Sequence, residues 1–238
     1  MGGRFLAFLQ RVYKCRSRTL MHKSYVIRKG RFTEAQKKAY NTSAEKFIIP
    51  PRETELDFRG IFGSDQSVTL EIGFGMGIAT AEIAQANPSK NYLGVEVHRP
   101  GIGRLLWEIE KRSLENIRIV EYDAVFVAEK MLGENSLDAV HLFFPDPWPK
   151  KRHRKRRLVQ RPFTETLAKR LKPGGYLYMV TDWEDYAVHA LEELGATAGL
   201  HGAYEGFAPP QNWRPKTKFE QKGLAKDHVI RELYFVRE

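Results

Sequence analysis

Cysteine is almost absent from this sequence, which has 238 residues and only Cys15. A single thiol cannot form an intrachain disulfide or a cluster of thiolate ligands for a metal. The histidines show no metal-ligand spacing either, so we expect no metal site. Apolar runs are far shorter than the roughly 20 residues that span a bilayer. These absences predict a cytoplasmic protein that needs neither a metal ion nor a membrane.

Acidic residues are scarce in two segments. Residues 1–38 contain eleven Lys or Arg and a single acid, Glu34, and residues 150–157 contain seven Lys or Arg together with His153. The whole chain has a net charge of +10, so the remainder is acidic overall. Such a run can be a solvated face or a localisation tag. Its position in the middle of the chain, between a predicted strand and a predicted helix, favours a nucleic-acid site.

Apolar runs of strand length alternate with stretches of helical pattern after a basic start. We predict that residues 1–45 form a basic N-terminal arm, partly disordered without its partner, and that residues 46–238 form one folded domain. The predicted strands are residues 68–72, 92–97, 117–122, 137–144, 175–180 and 229–236. The predicted helices are residues 78–86, 102–113, 124–131, 158–171 and 183–194. This alternation predicts a parallel α/β sheet that is covered on both faces, with residues 229–236 as an edge strand.

Acidic residues lie at the ends of four predicted strands: Glu71, Glu96, Asp123 and Asp146. The carboxyl ends of parallel strands meet at one edge of a sheet, where ligands bind. Single acids at such positions are often only helix caps, whereas four in succession favour a shared site.

The segment LEIGFGMG (70–77) predicts a strand that runs into a glycine-rich turn and then a helix. It fits a dinucleotide fingerprint only loosely and resembles motif I of S-adenosylmethionine-dependent methyltransferases more closely. In either case Glu96 suits a ribose diol. Glu71 suits the cationic methionine end of a methyl donor, and Asp123 suits the adenine amino group.

Further motifs extend this likeness over nearly the whole chain. They are GVEVHRPGIG (94–103), LFFPDPWPKKRHRKRR (142–157), TDWEDYA (181–187) and TKFEQKG (217–223). With these residues the chain resembles the bacterial tRNA (guanine-N7)-methyltransferase family. The resemblance implies a Rossmann-like class I methyltransferase domain, with a mostly parallel seven-stranded sheet, helices on both faces and an antiparallel C-terminal edge strand. It also implies methyl transfer from S-adenosyl-L-methionine to a guanine of the tRNA variable loop. We expect the protein to be a monomer or a homodimer.

The resemblance also implies roles for particular residues. Asp146 would be catalytic. The donor site would comprise Glu71, Gly73, Gly75, Gly77, Glu96, Asp123 and Asp146. The substrate nucleotide would contact Lys150, Asp182, Thr217, Lys218, Phe219 and Glu220. The RNA backbone would contact Arg152, His153, Arg154, Lys155, Arg156 and Arg157.

The chemistry of the target agrees with a carboxylate at Asp146. Guanine N7 carries a lone pair and no proton, so its methylation needs alignment and charge stabilisation rather than a base. Asp182 and Glu220 are candidates to accept hydrogen bonds from the Watson–Crick edge of the guanine. The alternatives are a methyltransferase that acts on a protein or small molecule and a non-catalytic RNA-binding module. An NAD-dependent oxidoreductase is disfavoured by the glycine spacing.

Several residues have simpler interpretations as structural groups. We expect His141 to be a sheet-packing histidine, and Trp183 and Tyr186 to be packing residues of a helix. Asp182 can serve as the N-cap of that helix. Trp148 either stacks on a base or wedges its loop in place.

Overall fold

A computed structural model of the chain describes residues 24–25, 30, 32–216, 220–221 and 228–238. Most of the predicted N-terminal arm, and the predicted substrate contacts Thr217, Lys218 and Phe219, lie outside the described residues. Among the described residues, no helix combines the length and the apolar composition that crossing a membrane requires.

Seven strands form one sheet in the order β3-β2-β1-β4-β5-β7-β6. They are β1 (Val68–Ile72), β2 (Asn91–Val95), β3 (Ile117–Val120), β4 (Leu137–Phe143), β5 (Leu171–Thr181), β6 (Leu200–Gly202) and β7 (Arg231–Arg237). Strands β1 to β5 pair in parallel, whereas β7 is antiparallel to both β5 and β6. All residues of β1 and β2 are buried, as expected of central strands covered on both faces. The sheet and its Rossmann-like class are therefore confirmed.

Helices cover both faces of this sheet. They are α1 (Glu34–Phe47), α2 (Phe58–Phe62), α3 (Ile78–Ala86), α4 (Arg99–Arg112), α5 (Ala124–Phe126), α6 (Phe163–Arg170) and α7 (Glu184–Gly195). A π-helical turn (Val127–Met131) continues α5, and a 3₁₀ helix spans Lys151–Arg156. One face packs against α6, α7 and the π-helical turn, and the other packs against α1, α3 and α4.

The position of the C-terminal strand differs from the prediction. Strand β7 is antiparallel, as expected, but it lies between β5 and β6 rather than at the edge. The edge strand is β6, whose three residues include the exposed His201 and Gly202. A strand so short and polar has no apolar alternation, so it could not be predicted from the sequence.

Residues 34–45 also differ from the expectation of a partly disordered arm, because they belong to α1. The helix begins with a capping box in which Thr33 and Gln36 each bond the backbone N–H of the other. Its buried side chains, Ala39, Tyr40, Ala44 and Phe47 among them, pack towards α4. The net charge of the segment concealed this apolar face, and the predicted boundary at residue 45 falls inside the helix.

Candidate functional site

A cavity of about 390 Å³ lies at the carboxyl ends of β1 to β4. This volume is within the range of small-molecule sites. Its described lining includes the glycine turn (Gly73, Gly75), the end of β2 (Glu96, Val97, His98), Tyr122, Ala124 and the loop after β4 (Phe144, Pro145, Asp146). Ser24 and Tyr25 also line it. The sheet thus brings strand ends that are far apart in sequence around one space.

The three glycines of the turn have different functions in the structure. Gly73 and Gly75 have φ of 75° and 58°, and a Cβ added to either would meet no atom within 4 Å. Their backbone therefore presents open space to a ligand in the cavity. A Cβ on Gly77 would lie 2.6 Å from the Leu105 Cβ, so that glycine is required for the contact between the turn and α4. Only the first two line the cavity.

The carboxylate of Glu96 fixes the turn to the end of β2. Its Oε2 accepts a hydrogen bond from the Gly75 N–H at 2.9 Å, and its Oε1 accepts from the N–H groups of Val97 (2.7 Å) and His98 (3.0 Å). A carboxylate has about four acceptor sites. The described backbone uses three of them, which leaves capacity for a hydroxyl donor in the cavity.

Glu71 lies inside the protein rather than in the cavity wall. Its side chain is on β1 beside His141 of β4, and only 3% of the residue is exposed. Burial, aided by the negative charge of Glu96, raises the pKa of Glu71 to about 7. It is not among the described lining residues, so the structure does not bring it to the position predicted for a donor contact.

Asp123 occupies the N-cap of α5. Its Oδ1 accepts from the backbone N–H of Val125 (2.9 Å) and Phe126 (3.2 Å). This is the simpler role considered for acids at strand ends. The neighbouring residues Tyr122 and Ala124 line the cavity, whereas Asp123 is not among the described lining residues.

Asp146 is exposed and lines the cavity from the loop that follows β4. The loop leaves the sheet at Phe144, whose N–H donates to the Val180 carbonyl at 2.8 Å and whose φ is 51°. A positive φ is unusual for an aromatic residue. Pro145 and Pro147 flank the aspartate and restrict its backbone. The structure therefore brings Asp146, Glu96 and the glycine turn to one site.

Trp148 holds its loop against the N-terminal segment. Its Nε1–H donates to the Ser24 carbonyl at 3.0 Å, and the Arg156 guanidinium lies 4.0 Å from the centre of its ring. Arg156 also donates to the Tyr25 carbonyl at 3.2 Å. This arrangement agrees with the wedge interpretation, because one ring face is already covered by a cation.

Most of the basic run is on the surface. Lys150 precedes the 3₁₀ helix, and Arg152, Arg154 and Lys155 are exposed on it. Arg154 pairs with Asp185 at 2.8 Å. Local loss of hydration and the neighbouring cations lower the pKa of His153, so its ring adds little positive charge near neutral pH. The helix therefore presents a cationic surface that begins five residues after Asp146.

Arg157 differs from the rest of the run, since only 1% of it is exposed. Its Nε donates to the Pro147 carbonyl at 3.0 Å, and its Nη2 donates to the Asp185 carboxylate. The predicted contact between Arg157 and the RNA backbone does not agree with this burial. Sequence alone could not separate this arginine from its neighbours, because all belong to one charged run.

The two acids predicted to recognise the base have partners of their own. Asp182 Oδ2 lies 3.0 Å from His228 Nδ1, and the N-cap of α7 is Trp183 rather than Asp182. Glu220 is buried and receives two hydrogen bonds from Arg214, at 2.6 and 2.7 Å. Its carboxylate is held inside the protein, which differs from the predicted contact with a base.

Arg214, Glu232 and Tyr178 are structural residues that the sequence analysis did not identify. Arg214 donates to Glu232 at 3.2 Å as well as to Glu220, and Tyr178 donates its hydroxyl to Glu232. Burial opposes the charge of Arg214, but the hydrogen bond with Glu220 and the contact with Tyr178 outweigh it and raise the pKa of Arg214. No local motif marks this cluster, which joins residues up to 54 positions apart.

Of the three residues that were predicted to be packing residues, two are buried and one is exposed. His141 is buried, its Nε2 lies 3.1 Å from the Tyr176 hydroxyl, and burial lowers its pKa to about 3, so it is a neutral sheet residue as predicted. Tyr186 is buried in the core and accepts a hydrogen bond from the Val159 N–H. Trp183 is 40% exposed, which contradicts a packing role.

Among the described residues, no group of three or more His, Cys, Asp or Glu could hold a metal ion.

Comparison with known proteins agrees with this geometry. Residues 65–233 match a family model with the description "Putative methyltransferase". A tRNA (guanine-N(7)-)-methyltransferase from Nitrosomonas eutropha is 49% identical over 215 residues, which cover 90% of this chain and 96% of that protein. A tRNA (guanine-N(7)-)-methyltransferase from Chromobacterium violaceum is 49% identical over 216 residues, which cover 91% of this chain and 96% of that protein. This chain belongs to the tRNA (guanine-N7)-methyltransferase family.

Solved structures of other methyltransferases have the same fold as this member of the tRNA (guanine-N7)-methyltransferase family. The 16S rRNA methyltransferase KamB superposes with a TM-score of 0.58 at 15% identity, covering 81% of this chain and 99% of that chain. The aminoglycoside resistance methyltransferase NpmB1 gives a TM-score of 0.52 at 18% identity, covering 76% and 92%. At such low identity these likenesses concern the fold alone.

Proposed function

We propose that this protein transfers a methyl group from S-adenosyl-L-methionine to N7 of a guanine in the variable loop of tRNA. The observation that carries the proposal is the position of Asp146. Its carboxylate lines the same cavity as the glycine turn and Glu96, and the cationic 3₁₀ helix begins five residues later. A small-molecule site and a polyanion surface therefore meet at one carboxylate.

The cavity suits the methyl donor. Gly73 and Gly75 leave room beside their backbone, and the Glu96 carboxylate retains capacity to accept from a ribose hydroxyl. Tyr122 and Ala124 supply apolar surface for a flat base. When bound, S-adenosyl-L-methionine would supply a methyl group on a positively charged sulfonium sulfur, which keeps the electron pair of the broken C–S bond and leaves as a neutral thioether.

Asp146 acts by charge rather than as a base. Guanine N7 has no proton to lose, so its methylation leaves positive charge on the purine ring. A fixed carboxylate beside the ring stabilises that charge as it develops. Pro145 and Pro147 limit the movement of the aspartate, which keeps the cost of reorganisation low.

Lys150, Arg152 and Lys155 contact the RNA backbone in this proposal, because they are exposed on the 3₁₀ helix or just before it. Among the described residues, Asp182 remains the candidate for reading the guanine edge. Recognition by Thr217, Lys218 and Phe219 stays a prediction from the sequence, as do the cytoplasmic location and the monomeric or homodimeric state.

The test is methylation of an unmodified tRNA transcript by the purified protein with methyl-labelled donor. Chemical cleavage at N7-methylguanine then maps the product. We expect one labelled guanine, in the variable loop, and no label after that guanine is changed to adenine. Label at another nucleotide would remove the assigned position, and label in protein or metabolites instead of tRNA would overturn the proposal.

A further inference from the structure

Arg157 ends the basic run, yet its surroundings are those of a core residue. Its side chain is 1% exposed, whereas the side chain of Arg154 one turn earlier is 47% exposed. The guanidinium lies 5.0 Å from the centre of the Tyr186 ring. A buried cation persists only when its donors are matched by acceptors.

The acceptors come from two separate elements. Nε donates to the carbonyl of Pro147, the residue that follows Asp146. Nη1 and Nη2 donate to the backbone carbonyl and the carboxylate of Asp185 in the first turn of α7. The pairing with Arg157 lowers the pKa of Asp185, so the carboxylate is ionised near neutral pH. Arg157 therefore connects the Asp146 loop to α7.

The attachment of α7 makes this connection rigid. Tyr186, which follows Asp185, is fully buried, and its hydroxyl accepts from the Val159 N–H at 3.1 Å. Val159 is also buried in the core, two residues after Arg157. Buried Val159 thus fixes the backbone next to Arg157, and Asp185 fixes its guanidinium. The guanidinium in turn holds the Pro147 carbonyl in place.

We propose that Arg157 is a positioning residue for Asp146 and not an RNA contact. The inference rests on the proposed function, since it concerns the carboxylate assigned to methyl transfer. Only an arginine meets this requirement, because its planar fork can donate in several directions at once, whereas a lysine ammonium is a compact point charge. The last cation of the run thereby places the catalytic loop, while the exposed cations bind the RNA.

The experiment compares Arg157→Lys and Arg157→Met with Arg152→Met. Displacement of a reacting group by about 1 Å can cost up to about 100-fold in rate. We therefore expect both Arg157 variants to lower kcat by about 10-fold to 100-fold, with the KM for tRNA and the salt dependence of tRNA binding unchanged. Arg152→Met should instead weaken tRNA binding and reduce the salt slope by about 1.

Two further measurements distinguish a positioning effect from loss of the native structure. Circular dichroism and donor affinity identify any variant that has lost its native structure, and Arg59→Met, at an exposed ion pair with Asp65, gives the effect of removing a distant arginine. In addition, Arg157→Ala is assayed with added guanidinium chloride at concentrations well below those that unfold it. Partial recovery of kcat is expected, because free guanidinium can occupy the site between Pro147 and Asp185.

The outcomes separate this inference from the proposed function. If the wild type forms no N7-methylguanine in tRNA, the proposed function fails. If the wild type is active and the Arg157 variants lose tRNA affinity and salt slope as Arg152→Met does, the positioning role is overturned while the function stands. A native Arg157→Met variant with unchanged kcat would also overturn it.

Discussion

At the scale of single residues, the site depends on how each acid is held. Asp146 is exposed on a proline-flanked loop, Glu96 is bound by three backbone N–H groups, and Asp123 caps a helix. Glu71 is buried in the sheet. Four acids at or just beyond the ends of parallel strands therefore have four different environments, and only two of them line the cavity.

Replacement of Asp146 by asparagine keeps the size of the side chain and removes its charge. We expect kcat to fall by about 100-fold or more, because charge stabilisation in the transition state is lost. Donor and tRNA affinities should change by less than about 3-fold, since neither depends on this charge alone. Single-turnover assays and equilibrium binding measure both quantities, with Asp65→Asn at an exposed position as the matched control. An unchanged kcat would remove the role assigned to Asp146.

Glu71 makes the stability of the protein depend on pH. Its pKa is about 7 in the folded protein against an ordinary value of 4.5. The raised pKa means that its contribution to stability is fully present below about pH 4.5 and is lost as the pH rises through about 7. The loss amounts to about 3 kcal/mol at most.

Glu71→Gln should remove this dependence. Relative to the wild type, the variant should gain unfolding free energy between about pH 5 and about pH 8, by up to about 3 kcal/mol. Urea unfolding at the two pH values measures the difference, and Glu134→Gln, an exposed position, is the control. A difference between variant and wild type that is the same at both pH values would contradict the prediction.

At the scale of helices and strands, the charge of a segment does not predict which of its residues are buried. Helix α1 carries basic residues but packs an apolar face against the rest of the domain, and the basic run forms a 3₁₀ helix with a buried final arginine. Charge counts identify a polyanion surface, yet they do not say which cations face the solvent. That depends on contacts with α7 and the loop after β4.

The exposed cations of the 3₁₀ helix provide an element-level prediction. Arg152→Gln combined with Lys155→Gln should weaken tRNA binding and reduce the salt slope of log Kd by about 2. Filter binding at several salt concentrations measures it. The matched control is Arg59→Gln with Lys90→Gln, two exposed cations outside the basic run. Equal losses in both double variants would mean that the helix has no special part in RNA binding.

At the scale of the whole molecule, the sheet brings the site residues together, and the C-terminal strand β7 completes the sheet between β5 and β6. Strand β7 inserts between β5 and β6, and Glu232 on it shares Arg214 with Glu220. Two buried carboxylates thus depend on one buried guanidinium. This network connects the chain around residue 214 to the last strand.

Arg214→Met should therefore destabilise the fold as a whole. Removal of the shared cation breaks the ion pairs that it makes with two buried carboxylates, and breaking a buried pair costs about 3–5 kcal/mol. Urea unfolding measures the change, with Arg59→Met as the control for an exposed arginine. A loss of less than about 1 kcal/mol would show that the network contributes little to stability.

Periodicity and local charge are properties of the sequence, and they were enough to predict the α/β class, the parallel strands, the glycine turn and the basic run. It also placed Glu96 and Asp146 at one sheet edge, since parallel strands share a direction. Only the contacts of the folded chain show that Arg157 and Glu220 are buried and that β7 is internal. Each of these depends on contacts with other elements of the fold, and local pattern contains no information about which side chains meet there.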